Sequence, residues 1–317
     1  MTTADPSTEL MRMINWYQVS QALHVAATLG IADQLKEGPK RYDVVAQARG
    51  AHPRTLYRLL RALASVGVFH ESISGEFSLT PLGTCSTSDA AGSRRNYARW
   101  IGTPGQWSSW GNLFHCIKSC ESASALTLGK DAWTYREEQP DEQAVFNSAM
   151  TGNSRSESQA VLQAFDFSQF ERIIDVGGGQ GLLLKEILLA CPAAHGVLFD
   201  QTHVIATAQQ LPAPSELTHR FEFASGSFFD KLPEGGHAYL MKAILHDWDD
   251  TKSIEILRTC RRAMSPNACL IVIEHVLGPP NEGPEGKFSD LNMLVQYAHW
   301  NGHAGSSKTS SSLAVSS

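Results

Sequence analysis

The sequence predicts an α/β chain: an open, parallel-rich sheet wound with helices in its C-terminal part, behind an all-α N-terminal domain built like a winged helix. Three observations predict it. Residues 172–184, RIIDVGGGQGLLL, run from an apolar segment through a carboxylate into a loop of glycines and back into an apolar segment. Further short apolar runs at 197–199, 238–241 and 270–273 each end in a charged residue: Asp200, Lys242 and Glu274. Such runs, separated by segments long enough for a helix, read as parallel strands buried on both faces. The third observation is a helix–turn–helix pattern followed by a hairpin between residues 43 and 79.

In the first segment, residues 172–176 read as a strand and 182–190 as the following helix. Gly177, Gly178, Gly179 and Gly181 leave the connecting loop almost without side chains. The backbone can then turn tightly and approach a ligand at the helix N-terminus. The plain alternative is a tight βα turn with no ligand. Asp200 lies about twenty residues beyond the glycines, where an acid can accept hydrogen bonds from ribose hydroxyls. The spacing is G-x-G-x-G, with Leu182 in the place of a third, helix-packing glycine. That argues against a dinucleotide pyrophosphate and for a smaller adenosyl ligand. After the strand 238–241, His246-Asp247-Trp248 leads into a helix starting near Thr251, and Glu274 closes the strand 270–273. In the usual order of such sheets these last two strands are neighbours. His246 and Glu274 are therefore expected side by side, with a histidine of near-neutral pKa as a base and the carboxylate fixing its tautomer. The bland alternative for a lone histidine at a strand end is a structural one.

Residues 10–35 carry Met13, Ile14, Tyr17, Leu23, Val25, Ala27 and Leu29 at helical spacing. Residues 43–49 and 53–66 read as two helices separated by Gly50-Ala51-His52, and 69–79 as a hairpin turning at Ser74-Gly75. Arg54, Arg58 and Arg61 form one stripe of the second helix, as in a nucleic-acid recognition helix or, more blandly, a solvated or partner-facing edge. The net charge of −6 favours the second reading, with no nucleic acid as partner. Residues 100–150 are rich in aromatics, most of which read as helix packing.

At 317 residues, 42% apolar and 18% charged, the chain can bury one large core and a smaller one. No apolar run is long enough to span a membrane, and the N-terminus MTTADPSTEL lacks a signal-peptide pattern. The six cysteines include no C-x-x-C pair, so a reduced, cytoplasmic chain without a metal is expected.

Asp175-x-Gly-Gly-Gly-x-Gly181, Asp200, Gly226-Ser-Phe-Phe229, Lys242-x-x-x-His-Asp-Trp248 and Glu274 occur in the order found in one family. The chain resembles the S-adenosylmethionine-dependent small-molecule O-methyltransferases of the plant caffeate and bacterial natural-product type, over residues 10–295. The resemblance implies a Rossmann-like class I methyltransferase domain and a winged-helix-like dimerisation domain, hence a homodimer. It implies methyl transfer to a phenolic hydroxyl of a small aromatic metabolite, with His246 as general base supported by Glu274 and S-adenosylhomocysteine as product. It assigns Asp175, Gly177, Gly179, Gly181, Asp200 (ribose), Ser227, Phe228, Lys242 (methionine carboxylate) and Trp248 to the cofactor, with Trp248 and Phe228 covering opposite sides of the adenine. Phe146 and Met150, in FNSAM, and Met293 fall on acceptor-pocket positions. Apolar and sulfur–ring contacts suit a flat aromatic substrate.

The chain departs from the family pattern in two places. Ser227 stands where an aspartate usually meets the adenine amino group, replacing a charge-assisted bond by a neutral one at a cost of about 1 kcal/mol. Residues 296–317 are serine-rich, and a second supporting glutamate would fall near Ser307. The expected division is thus a winged-helix-like domain at 1–100, a helical linker and pocket segment at 101–160, the cofactor domain at 161–295 and a disordered, divergent tail at 296–317, with the final strands missing. These departures are the basis of an alternative reading, a catalytically impaired relic that binds cofactor or dimerises.

Overall fold

A computed structural model describes residues 5–212, 214–274 and 276–297, with only the backbone of 153–156. The expectations for 298–317, including the disordered tail, the missing strands and the position of Ser307, lie outside the described residues.

The described residues form two compact units, one from the segment up to residue 107 with 139–153 and the other from 108–138 with the segment from 154 onward. In the first unit the helical stretch expected at 10–35 is three helices, Pro6–Ile14, Trp16–Leu29 and Ile31–Gln34. Asn15 and Gly30 break it, and Gly30 ends the second helix in a left-handed conformation that a glycine adopts without a Cβ clash. Helices Tyr42–Arg49 and Pro53–Ser65 follow. The wing is real but not the whole sheet. Strand β1 (Lys40–Arg41) pairs with the hairpin of β2 (Phe69–Glu71) and β3 (Glu76–Leu79), giving an antiparallel order β1-β3-β2. The unit is therefore not purely α; a two-residue strand is too short for a hydrophobic period to reveal. Leu56, Leu60 and Leu63 from one face of the Pro53–Ser65 helix bury with Val45, Phe69 and Phe77 in its core. Arg54, Arg58 and Arg61 lie on the exposed face.

The second unit is built on a five-stranded parallel sheet of β4 (Arg172–Val176), β5 (His195–Asp200), β6 (Phe221–Ser225), β7 (Ala238–Lys242) and β8 (Cys269–Ile273), in the order β6-β5-β4-β7-β8. Period-two alternation accounts for its burial on both faces. Ile173, Leu198, Leu240 and Ile271 pack into one core with Leu184, Ile187 and Leu188 of the Leu182–Ala190 helix. Their neighbours Ile174, Val197, Tyr239 and Met241 pack into a second core with Ile256 and Cys260 of the Asp250–Ala263 helix. The strand order reverses between β4 and β7, because β5 and β6 extend the sheet one way from β4, and β7 and β8 the other. In open α/β sheets this reversal leaves a crevice outside the carboxyl ends of the two strands, and ligands bind there.

Candidate active site

Four of the expected residues stand at the carboxyl ends of strands at or beside that reversal: Asp175 on β4, Asp200 on β5, Lys242 on β7 and Glu274 just past β8. The glycine loop leaves β4 with Gly177 at φ +71° and Gly179 at φ +59°, conformations an L side chain rarely takes. A Cβ on Gly177 would stand 2.4 Å from Ile244, whereas one on Gly179 would meet nothing within 4 Å. The first glycine serves packing; the second leaves open space beside the loop. Gly181 caps the Leu182–Ala190 helix in a left-handed conformation, and a Cβ there would press on Leu198 and Phe221 at 2.9 Å.

Asp200 holds this loop. Its two oxygens accept the N–H groups of Gly179 at 2.8 Å and of Gln201 at 2.7 Å. Burial nevertheless pushes its carboxyl above the usual range, against those two bonds and the nearby His203. Asp175, 2% exposed, is pushed up to about 7 by burial and then by the charge of Asp200, with Lys242 opposing. Lys242 forms an ion pair with Glu157 of the Pro140–Ala164 helix, Nζ to Oε2 at 2.5 Å. Sequence reading missed Glu157, since no motif or spacing ties that helix to the end of β7.

Beyond β7 the chain enters a strained corner. Ala243 has φ +56°, and its N–H donates to the Ile273 carbonyl at 2.9 Å. The next two N–H groups, of Ile244 and Leu245, both donate to Glu274 Oε1, at 2.9 and 2.8 Å. The other oxygen of Glu274 lies 2.6 Å from His246 Nδ1. One carboxylate thereby fixes the corner with one oxygen and the imidazole with the other. His246 and Glu274 are brought together as the strand order implied. His246 Nε2 lies 3.4 Å from Asp247 Oδ1, a second carboxylate that the reading of the motif had not assigned. The near-neutral pKa expected for His246 is corrected. Burial pulls it down, but the hydrogen bond to Glu274 and the charges of Asp247 and Glu274 outweigh both that and Lys242, and the imidazolium is held up to about 9. Burial pushes Asp247 itself up to about 6, with His246 pulling down, Glu274 raising and Arg136 pulling down in turn. Arg136, buried, lies 5.1 Å from the Trp133 ring centre and donates to the Tyr297 hydroxyl at 2.8 Å.

Phe228 and Trp248 do not face each other across a gap. Their rings meet edge to face at 5.8 Å, and Phe229 meets Trp248 in the same way at 4.8 Å. Holding a flat base between two parallel rings needs about 7 Å, twice a carbon–carbon contact distance. As found, the pair forms an aromatic wall and not the expected sandwich. Ser227 accepts the N–H of Phe229 at 3.2 Å and so helps turn the chain after β6. Of the acceptor-pocket positions, Phe146 and Met150 lie half-buried in the first unit, Phe146 edge to face with Trp100, and Met293 lies half-buried in the Pro284–Tyr297 helix of the second. Among the described residues no group of three or more His, Cys, Asp or Glu could hold a metal ion, and no helix is long and apolar enough to cross a membrane.

Two family profiles match the chain: an O-methyltransferase domain over residues 110–315 and an O-methyltransferase dimerisation domain over residues 11–89. The chain belongs to the O-methyltransferase family. The first match runs through residue 315, so it takes in most of the segment expected to diverge. Among curated relatives, the phenazine O-methyltransferase of Lysobacter antibioticus is 40% identical over 91% of this chain and 84% of its own length. The crystal structure of LaPhzM superposes with a TM-score of 0.91 at 39% identity, covering 95% of this methyltransferase and 91% of that chain. That of NcsB1, from neocarzinostatin biosynthesis, in complex with S-adenosylmethionine and 2-hydroxy-5-methyl naphthoic acid, superposes with a TM-score of 0.77 at 30% identity, covering 90% and 86%. The second unit is thus a class I methyltransferase domain, and S-adenosylmethionine is its cofactor.

Proposed function

We propose that this methyltransferase transfers a methyl group from S-adenosylmethionine to a phenolic hydroxyl of a small aromatic natural product, with His246 as the general base. One observation carries the reading: His246 Nδ1 is bound to Glu274 at 2.6 Å, which directs the neutral ring's lone pair to Nε2. Bound at the carboxyl edge of the sheet, S-adenosylmethionine supplies an electrophilic methyl, and S-adenosylhomocysteine is left. The residues present suit it: open space at Gly179, Asp200 and Asp175 beside the loop, the wall of Phe228 and Trp248 for an adenine face, and Lys242 for a carboxylate. Ser227 accepts the Phe229 N–H with one lone pair and keeps a second to accept from the adenine amino group.

The acceptor hydroxyl delivers its proton to His246 Nε2 as its oxygen takes the methyl. A base held up to about 9 is closely matched to a phenol, which ionises near 10, so the transfer is nearly balanced. Glu274 and Asp247 then stabilise the imidazolium. Phe146, Met150 and Met293 are the proposed acceptor contacts, and the phenazine and naphthoic acid named for the relatives suggest fused aromatic hydroxyl compounds as first substrates to try. The homodimer is supported by the dimerisation profile and by the exposed Leu10, Met11, Ile14, Trp16 and Tyr17 at the start of the chain. The test is His246→Ala assayed by mass spectrometry on a panel of hydroxyphenazines and hydroxynaphthoates. Turnover is expected to fall by about 10²–10⁴-fold with S-adenosylhomocysteine binding intact. Unchanged turnover would refute the base.

A further inference from the structure

The ion pair of Lys242 and Glu157 joins a residue of the Lys242–Trp248 motif to one that no motif of the sequence names. Lys242 is the last residue of β7, at the strand reversal, with its side chain 12% exposed. β7 pairs with β4, which leads into the glycine loop, and runs on through the corner to His246. Lys242 therefore stands on the strand that links the nucleoside end of the crevice to the base, where the amino-acid end of a methyl donor has to be anchored. Glu157 reaches it from a different element, the Pro140–Ala164 helix, and remains 36% exposed.

The amino-acid end of the donor is a zwitterion, an α-ammonium beside an α-carboxylate. A lysine paired with a glutamate is its complement, one charge of each sign at hydrogen-bonding separation. We infer that Glu157 is a cofactor-binding residue, its carboxylate taking the α-ammonium while Lys242 takes the α-carboxylate. The inference rests on the reading of this edge as the S-adenosylmethionine site. Exchange of one ion pair for two costs little, because each pole finds a new charged partner as the old one is given up. Lys242 and Glu157 thus present a cation and a carboxylate side by side at the edge where the donor binds.

The test compares two ligands on the purified full chain by titration calorimetry: S-adenosylhomocysteine, which has the zwitterionic end, and 5′-methylthioadenosine, which lacks it. For Glu157→Gln the expected result is an affinity for S-adenosylhomocysteine lower by about ten- to a hundredfold, the worth of one charge-assisted hydrogen bond, with 5′-methylthioadenosine bound as in the wild type. The second ligand also reports that the variant is folded. An affinity for S-adenosylhomocysteine that is unchanged or higher would overturn the inference, as would equal losses for both ligands. Wild-type protein that binds neither ligand would overturn the cofactor reading itself, and this inference with it.

Discussion

Replacing Glu274 by glutamine tests the base more sharply than deleting the histidine, because it changes one proton and almost no volume. In the wild type Oε1 accepts two backbone N–H groups, from Ile244 and Leu245, and Oε2 meets His246 Nδ1. A glutamine can satisfy only one side. If its carbonyl keeps the two backbone donors, its NH₂ points at Nδ1, and the ring must turn that nitrogen into an acceptor. The proton then sits on Nε2, where the acceptor hydroxyl needs a lone pair. If the amide flips to keep the ring's tautomer, two N–H donors of a part-buried corner lose their partner, at about 1–3 kcal/mol each. The backbone pair outweighs the single imidazole bond, so the tautomer gives way.

The expected outcome for Glu274→Gln is a turnover about 10²–10³-fold below wild type, within the range that general-base catalysis contributes, with S-adenosylhomocysteine affinity unchanged. The ring's pKa should fall as well, since Glu274 supplies two of the effects that hold it up and only Asp247 remains. Nitrogen chemical shifts of labelled His246 read both changes, the tautomer and the titration. A variant that turns over within about threefold of wild type, or a ring still protonated on Nδ1 when neutral, would refute the reasoning.

The wild-type pH profile follows from the same ring. With its pKa held at about 9, log kcat/KM should climb with a slope near one up to about pH 9 and then level; a plateau from pH 7 upward would contradict the structure. The folded-state pKa is raised above the unfolded value of 6.5, so the stabilisation of about 3 kcal/mol is fully present below pH 6.5 and is lost as pH rises through about 9, which denaturant titrations at pH 6 and 10 would show as a difference absent from His246→Ala. Ala243→Gly should stabilise the chain by about 0.5–1 kcal/mol in urea. Relief of a left-handed alanine is worth about 1–2 kcal/mol and is partly offset by the greater freedom of glycine in the unfolded chain. A destabilised variant would mean that the corner is not strained.

The sheet was legible because its strands are buried on both faces, so four of them read as apolar runs ending in a charge. The fifth was not: β6, FEFAS, lies half to fully exposed at the sheet edge and lacks an apolar signature. The pairing of His246 with Glu274 followed from strand order alone, since parallel strands end on one edge. What sequence could not carry was the electrostatic state. The shift of His246 to about 9 depends on two carboxylates at 2.6 and 3.4 Å, one of them its own neighbour Asp247, turned back onto the ring by the short 3-10 turn Leu245–Asp247. Ring orientation at Phe228 and Trp248 is illegible for the same reason, because it is set by packing, here by Phe229 wedged against Trp248.

Asp175 carries the argument from structure to ligand choice. Its carboxyl is buried and beside Asp200, and its pKa of about 7 leaves it about half protonated at neutral pH. Because that value lies above the unfolded one of 3.8, Asp175 favours the fold most below pH 3.8, and the advantage is lost as pH rises through about 7. A cation brought to this edge reverses the preference and expels the remaining proton. S-adenosylmethionine carries a net charge of plus one and S-adenosylhomocysteine none, so only the former does this in full. Calorimetry in buffers of different ionisation enthalpy should therefore find about half a proton released on binding S-adenosylmethionine at pH 7 and distinctly less on binding the product. Asp175→Asn should abolish the difference. Equal release for the two ligands would show that the sulfonium charge is not felt at Asp175. A difference in the expected sense means that methyl transfer itself weakens the hold on the product, since the reaction removes the charge that had kept the buried carboxylate ionised.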